Sequence, residues 1–279
     1  MGKELHIVNN VSFGRMMKRF VCNGIHDGKE RYVVVFPINF TMDYLPEDGS
    51  REEIIKAVCS RYMFKADFGG WVSYGFPECA KSKNFLEYVL SFLEHDFVQY
   101  DKIYLWHAHD SASILSMYYL STVINAEHLY EVDLVNFDPF INKGKHGFDS
   151  YCFSDEEFSS RCHTYEKVSV EITDLKRAYF LNRWHKLRKD GFPIRVFNKK
   201  GVVVGKNLTF LDSYIKKEIS TGKEYRLFDI MDIVGKRQPF IEFDSFLFTD
   251  YVHERIFHLF WNRDIELKVC KRNNQETEI

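Results

Sequence analysis

Lys102-Ile103-Tyr104-Leu105-Trp106-His107-Ala108-His109-Asp110-Ser111, followed by the apolar-rich run from Ile114 to Ile124, is the stretch that decides the fold. An apolar run of strand length that breaks into short polar residues and resumes at helical length is how one unit of a parallel α/β sheet reads in sequence. Its polar corner is a candidate site, because ligands of open parallel sheets gather outside the carboxyl ends of the strands.

Working outward, residues 5–8 read as a first strand ending in Asn9-Asn10-Val11-Ser12. Phe13, Met16, Met17 and Phe20 then recur at helical spacing, with Ser12 as the expected cap. Arg31-Tyr32-Val33-Val34-Val35-Phe36 is the clearest strand, closed by Pro37 and Asn39. Ser50-Arg51-Glu52-Glu53 has the form of a capping box opening a helix to about Tyr62. A Gly-rich loop carrying Trp71, Tyr74 and Phe76 follows over 66–80, either a connector or a lid. Residues 84–97 form an amphipathic helix, and 129–137 read as a further strand. Four strands separated by helical crossovers imply a mostly parallel, three-layer sheet.

Periodicity is lost between 138 and 166, and the domain boundary is placed there. Thr173 caps a long basic helix running to Lys189 and stopped by Gly191 and Pro193, with Leu175, Ala178, Tyr179, Leu181, Trp184 and Leu187 as its apolar positions. A hairpin around Asn198-Lys199-Lys200-Gly201 and a helix over 208–219 come next. Helices near 227–234 and 245–261 and a strand at 265–269 are compatible with a winged-helix-like, helix-turn-helix-like tail. The expected class is therefore α/β: a Rossmann-like domain over 1–150 and a basic α+β domain over 165–279.

Charge follows the same division. Residues 1–150 carry 15 Lys and Arg against 20 Asp and Glu, and residues 151–279 carry 23 against 20. Between Leu175 and Lys217 there are 12 basic residues and two acids. That segment is the one feature that would attract a polyanion, with Lys186, Arg188, Lys189, Lys199 and Lys200 as candidates; the other reading is a solvated face or an intramolecular partner for the acidic half. The six cysteines are scattered without a C-x-x-C pair and read as reduced thiols of a cytoplasmic protein. No secretory signal and no apolar run of ~18 residues is present, so no membrane partner is expected.

The order of motifs resembles a bacterial family known as domain of unknown function 1835, with its frequent companion, domain of unknown function 3658. The resemblance lies in Leu5-His6-Ile7-Val8-Asn9-Asn10-Val11-Ser12 and in Ile103-Tyr104-Leu105-Trp106-His107-Ala108-His109-Asp110. The stretch from Trp184 to Arg195 and residues 228–267 look like the companion. This chain departs from the family pattern in having Asn10-Val11 where Gly-Asp is usual. It also has Ile38-Asn39 where an acid often follows the second strand. The family has no established activity, so the resemblance implies fold and leaves chemistry open.

The strand ends present Asn9, Asn10, Ser12, Asn39, His107, His109, Asp110, Ser111 and Asp138. Asn, Ser and helix N-terminal amides suit a phosphate or carboxylate; equally, such residues cap helices. His107-x-His109 puts two imidazoles on one face of an extended backbone, a weak metal candidate with Asp110 or Asp138, against one histidine lining a pocket and the other packed or solvated. Ser111 beside His109 and Cys162 beside His163 are candidate nucleophile–base pairs by adjacency alone. No G-x-G-x-x-G, Walker A or H-E-x-x-H sequence occurs, so no cofactor is named. Three classes stay open. The leading one is a ligand-binding, regulatory protein whose C-terminal domain contacts nucleic acid or protein. The second is a hydrolase or transferase acting on a phosphorylated or nucleotide-like molecule through His107, His109 and Asp110. The third is a structural or dimerising module.

Overall fold

The structure, a computed structural model, describes residues 2–36, 38–41, 44–58, 85–137, 154–198, 201–219, 255–259 and 261–262. The expected Gly-rich loop, Asp138, Lys199, Lys200 and nearly all of the winged-helix-like tail lie outside them.

The α/β reading is met by a five-stranded sheet in the order β2-β1-β3-β4-β5. Strands β1 (Lys3–Val8), β2 (Glu30–Val35), β3 (Lys102–His107) and β4 (Leu129–Asp133) are all parallel. Two-residue β5 (Val170–Glu171) adds an antiparallel edge. Alternation of side chains across a strand sends Leu5, Ile7, Ile103, Leu105 and Leu129 to one face and Val8, Tyr104, Trp106 and Val132 to the other. Both faces are covered, which is why β3 is buried almost throughout and reads as a continuous apolar run.

The second of these faces is covered by α1 (Val11–Met17), α5 (Leu134–Phe137), α6 (Asp155–Ser159) and α7 (Tyr165–Val168). Gly14 lets α1 close on the sheet, since a Cβ there would meet Val35 Cγ2 at 2.8 Å. The cap of α1 is Asn10, whose Oδ1 accepts from Phe13 N at 2.9 Å; Ser12, the expected cap, is exposed inside the first turn. The helix continues into a π-turn over Lys18–Cys22. Val21 is buried in the core there, and Phe20 packs half-buried against the same cluster.

The first face carries α2 (Arg51–Val58), α3 (Phe85–Leu93), α4 (Ser111–Val123) and α8 (Asp174–Asp190). Ser50 and Glu53 form half of the expected capping box. Ser50 Oγ accepts from Glu53 N at 3.4 Å, but the Glu53 carboxylate turns to Glu47 N, Tyr44 and Lys56. Tyr62 lies outside the described residues. The expected strand over 129–137 stops at Asp133, because its Oδ1 accepts from Val135 N at 2.9 Å and starts the short helix α5.

Thr173 caps α8 and Gly191 ends it at φ +64, as read from sequence. The inward stripe is Phe180, Trp184 and Leu187, spaced i, i+4, i+7; Leu175, Tyr179 and Leu181 are exposed instead. Trp184 donates Nε1–H to Pro46 O at 2.9 Å and packs edge-on against Phe40. The hairpin β6 (Ile194–Phe197) and β7 (Val203–Lys206) follows, its turn closed by Gly201 at φ +72. Arg195 N donates to Thr41 O at 2.7 Å. Ile172, Phe180, Trp184, Leu187 and Val203, placed by sequence beyond the boundary, thus share a core with Leu5, Ile54 and Leu115. After the hairpin comes α9 (Asp212–Ile219), whose Asp212 is bidentate to Arg255 in the helical turn 255–259. Among the described residues, no helix is long and apolar enough to cross a membrane.

Candidate functional site

The strand order reverses direction between β1 and β3. The chain leaves β1 at Asn9-Asn10 for α1 on one face and leaves β3 at Ala108-His109-Asp110 for α4 on the other. Such a switch point is where open α/β sheets form their crevice. Here the crevice is small, with room for little more than a water molecule. Asn9, Ser113 and Ser116 are its polar lining, among Phe36, Trp106 and Met117.

The polar residues expected at the strand ends divide into caps and a cluster. Asn10 caps α1, and Asn39 Oδ1 accepts from Thr41 N at 3.0 Å and Thr41 Oγ1 at 2.7 Å. Both are turn-makers. Asp110 caps α4: Oδ1 accepts from Ser113 N at 2.8 Å and Oδ2 from Ser113 Oγ at 2.6 Å. Ser113 Oγ in turn accepts from Ala108 N at 3.1 Å, so the loop is fastened to the helix it begins. The N-terminus of α4, read from sequence as a seat for phosphate, is thus occupied by a buried carboxylate of its own chain. Ser111 is fully buried in the first turn.

The cluster is His107, His109 and Asp133. His107 and Asp133 are register partners at the ends of β3 and β4, and their side chains leave the same face of the sheet. Asp133 Oδ2 accepts from Asn136 Nδ2 at 2.9 Å and lies 3.1 Å from His109 Nε2. That contact raises the His109 pKa above 6.5, against the opposing effect of burial, and the Asp133 and Asp110 charges add to it. Burial pushes Asp133 up, but the His109 hydrogen bond and the charges of His107 and His109 hold its carboxyl below 3.8. His109 is 37% exposed and tilts against Phe197 of β6, with ring centroids 5.8 Å apart. His107 is buried. Its Nδ1 lies 3.4 Å from Ala108 O, and its Nε2 has no hydrogen-bond partner.

Asp133 was missed in the sequence because it stood inside an apparent strand; an Asp followed by a non-β-branched Leu is the cap signal that would have found it. The two histidines diverge, one into the interior and one to Asp133. Among the described residues no group of three or more His, Cys, Asp or Glu stands together to hold a metal. Cys162 is buried with its thiol directed to Phe20 O and Ser159 O, and burial pushes its pKa up. It is packed against the opposite face from His109.

Five members of the basic segment are engaged by the chain itself, while Lys206 and Lys217 are exposed. Arg177 donates to Ser121 O, Ile124 O and Ala126 O at 2.7–3.1 Å, closing the carboxyl end of α4. Arg183 donates to Val203 O, and Arg195 to Phe40 O and Phe192 O. Lys176 pairs with Glu131 at 2.5 Å and Arg188 with Glu47 at 2.8 Å, both acids of the N-terminal half. Lys186 and Lys189 are exposed on α8.

A second polar cluster occupies the amino half of the sheet, under α7. The buried Glu4 accepts from Lys29 Nζ at 2.9 Å and from the Tyr165 hydroxyl, and pairs with Arg31, whose Nε lies 3.0 Å away and donates to the Tyr165 hydroxyl at 2.9 Å. Arg31 also holds Asp27 through both terminal nitrogens, and Lys29 reaches Glu166 at 2.5 Å. Next along β1, His6 is fully buried; its Nδ1 accepts from Trp106 Nε1 at 3.1 Å and its ring stacks on Tyr104 at 5.0 Å. Burial first, then the Arg31 and Lys29 charges, push the His6 pKa down to about 3. Glu4 and Arg31 are register partners on β1 and β2, but Tyr165 joins them from 161 positions along the chain, a contact that local sequence patterns do not register.

No family model matches the chain, and searches among curated proteins and solved structures find no match either.

Proposed function

We propose that the protein binds a small polar molecule at the carboxyl ends of β1, β3 and β4. The observation that carries this reading is the company of His107, His109 and Asp133 at the switch point. There a buried ring nitrogen without a partner stands beside a half-exposed imidazole that a carboxylate holds in one orientation. Buried polar groups are normally hydrogen-bonded, and the exceptions concentrate where a ligand completes them. A regulatory output is natural for such a site, because α4 starts in it and packs along α8.

One observation favours a catalytic second reading, a hydrolase or transferase. His109 Nε2 is tied to Asp133, which leaves Nδ1 of a solvent-reaching ring as a general base. That reading predicts turnover lost in His109→Ala and retained in Lys186→Ala.

The test of binding is a chemical-shift map of the labelled protein against a library of neutral, cationic and anionic metabolites. Perturbations gathered at Asn9, residues 107–113 and Asp133 are expected. A library that moves none of these signals ends the proposal.

A further inference from the structure

Resting on that binding reading, we infer that the site selects a neutral or cationic ligand bearing a hydroxyl or amino donor, delivered to His107 Nε2, and rejects phosphate and carboxylate.

Three observations converge on this chemistry. His107 Nδ1 faces the carbonyl oxygen of Ala108, an acceptor, so in the neutral ring Nδ1 carries the proton and Nε2 presents a lone pair. That lone pair is buried and has no partner, and a donor is what it lacks. Next, the helix terminus that would greet an anion is closed. Asp110 takes the Ser113 amide and hydroxyl, and its own negative charge sits where a phosphate would go. Finally, the residues beside His107 are acidic on balance. Asp110 and Asp133 are two carboxylates, and one imidazolium, His109, offsets one of them. An anion brought to this point meets a like charge in a partly desolvated corner, while a hydroxyl or ammonium meets the lone pair of His107 Nε2.

The ligand class follows from what the neighbouring groups offer. Asp133 Oδ1 and Oδ2 are already engaged by Val135 N, Asn136 Nδ2 and His109, so recognition falls to His107 Nε2 as acceptor and to the Nδ1–H of the His109 imidazolium as donor on the open side. Phe197, tilted over His109, gives the open side an apolar wall. A polyol or nucleoside, with hydroxyls that both donate and accept, satisfies both groups, and a small amine satisfies His107 alone.

Matched probes test the inference. Binding of myo-inositol, ribose, adenosine and putrescine is measured by saturation-transfer NMR and calorimetry. The comparison set is inositol monophosphate, ribose 5-phosphate, AMP and succinate. At least one uncharged or cationic probe is expected to bind ten-fold or more tighter than its anionic counterpart. His107→Phe, which keeps a flat ring and removes the acceptor, is expected to weaken that binding ten-fold or more. If this variant does not fold, the ¹⁵N shift of His107 Nε2 in the unaltered protein serves instead, since it moves when the lone pair accepts a hydrogen bond. Tighter binding of the anionic probes at these residues, or binding indifferent to His107, overturns the selectivity and leaves the binding reading in place. No binding by any probe overturns both.

Discussion

Glu4, near the amino end of β1, and His107, at the carboxyl end of β3, are both buried polar side chains of one sheet, and their surroundings differ. Glu4 is met by Lys29, Arg31 and Tyr165, and the cluster passes charge outward through Asp27 and Glu166. The single ring nitrogen it leaves over, His6 Nε2, is shut in by Tyr104, Trp106 and Tyr165. At the carboxyl end, His107 Nε2 is also left over, but its neighbour His109 reaches solvent. A sealed network organises the fold, whereas an incomplete one beside an opening is where a ligand adds something. The comparison teaches that burial of charge alone does not locate function; the open partnership does.

The largest effect expected from breaking the comparison is at the sealed end. Arg31→Leu leaves Glu4 and Asp27 without their shared guanidinium, and removing one partner of a buried ion pair typically loses about 3–5 kcal/mol. Urea denaturation reads this directly. His109→Leu at the open end loses an ion pair of a half-exposed ring, worth under about 1 kcal/mol. Equal losses at both sites would erase the distinction.

Acid sharpens it next. His6 binds a proton at about 3 in the folded protein and near 6.5 when unfolded, so between those values the unfolded chain holds more protons. Stability therefore falls as pH drops from 6.5 towards 3, with a slope approaching about 1.4 kcal/mol per pH unit. His6→Asn keeps an oxygen near the Nδ1 position for Trp106 and does not titrate. Urea midpoints of the two proteins between pH 6.5 and 4.5 should diverge steadily, and parallel curves would mean His6 is not the sensor.

How much of this was legible beforehand depended on range. The strand at 102–107, its helix, the cap at Thr173 and the hairpin turn at Gly201 are local patterns, and each stands as read. His107, His109 and Asp110 were found because they sit where a strand ends. Asp133 was hidden by β-branched neighbours that made 129–137 look continuous. Phe180 replaced Leu175 on the inward stripe of α8 because the sheet, α4 and Pro46 decide which side of a helix apolar on several sides faces in. The Glu4 network depends on α7 returning to β1, a contact that periodicity does not register.

At the open end, Asp133→Asn isolates the pair. His109 loses the partner that raises its pKa, while burial, which lowers it, stays; the ring should titrate at lower pH in an NMR series. The stability signs are opposite and bracket a window. The raised His109 pKa contributes below pH 6.5 and is lost as pH rises through its folded value. The lowered Asp133 pKa contributes above 3.8 and is lost as pH falls. In the Asn variant both slopes should flatten, with a change under about 1 kcal/mol at the optimum. An unchanged His109 titration would break the dyad.

The smallest effect concerns α8, whose basic sequence invites a polyanion. Each phosphate contact to duplex DNA adds about −0.9 to the slope of log affinity against log salt. Arg177, Arg183 and Arg195 donate to main-chain carbonyls, and Lys176 and Arg188 hold acids of the same chain. Lys186 and Lys189 are left as the exposed lysines of this helix, so its share of the slope should not exceed about −2. Reversing both to Glu should destabilise by no more than about 1 kcal/mol, chiefly because Lys189 stands in the last turn of α8, where a cation complements the helix dipole. A fluorescence-anisotropy titration across a salt series decides the matter. A slope that flattens by more than two contacts in the double variant would mean that the inward arginines leave their carbonyls for DNA, and α8 would then rank with the strand-end cluster as a binding surface.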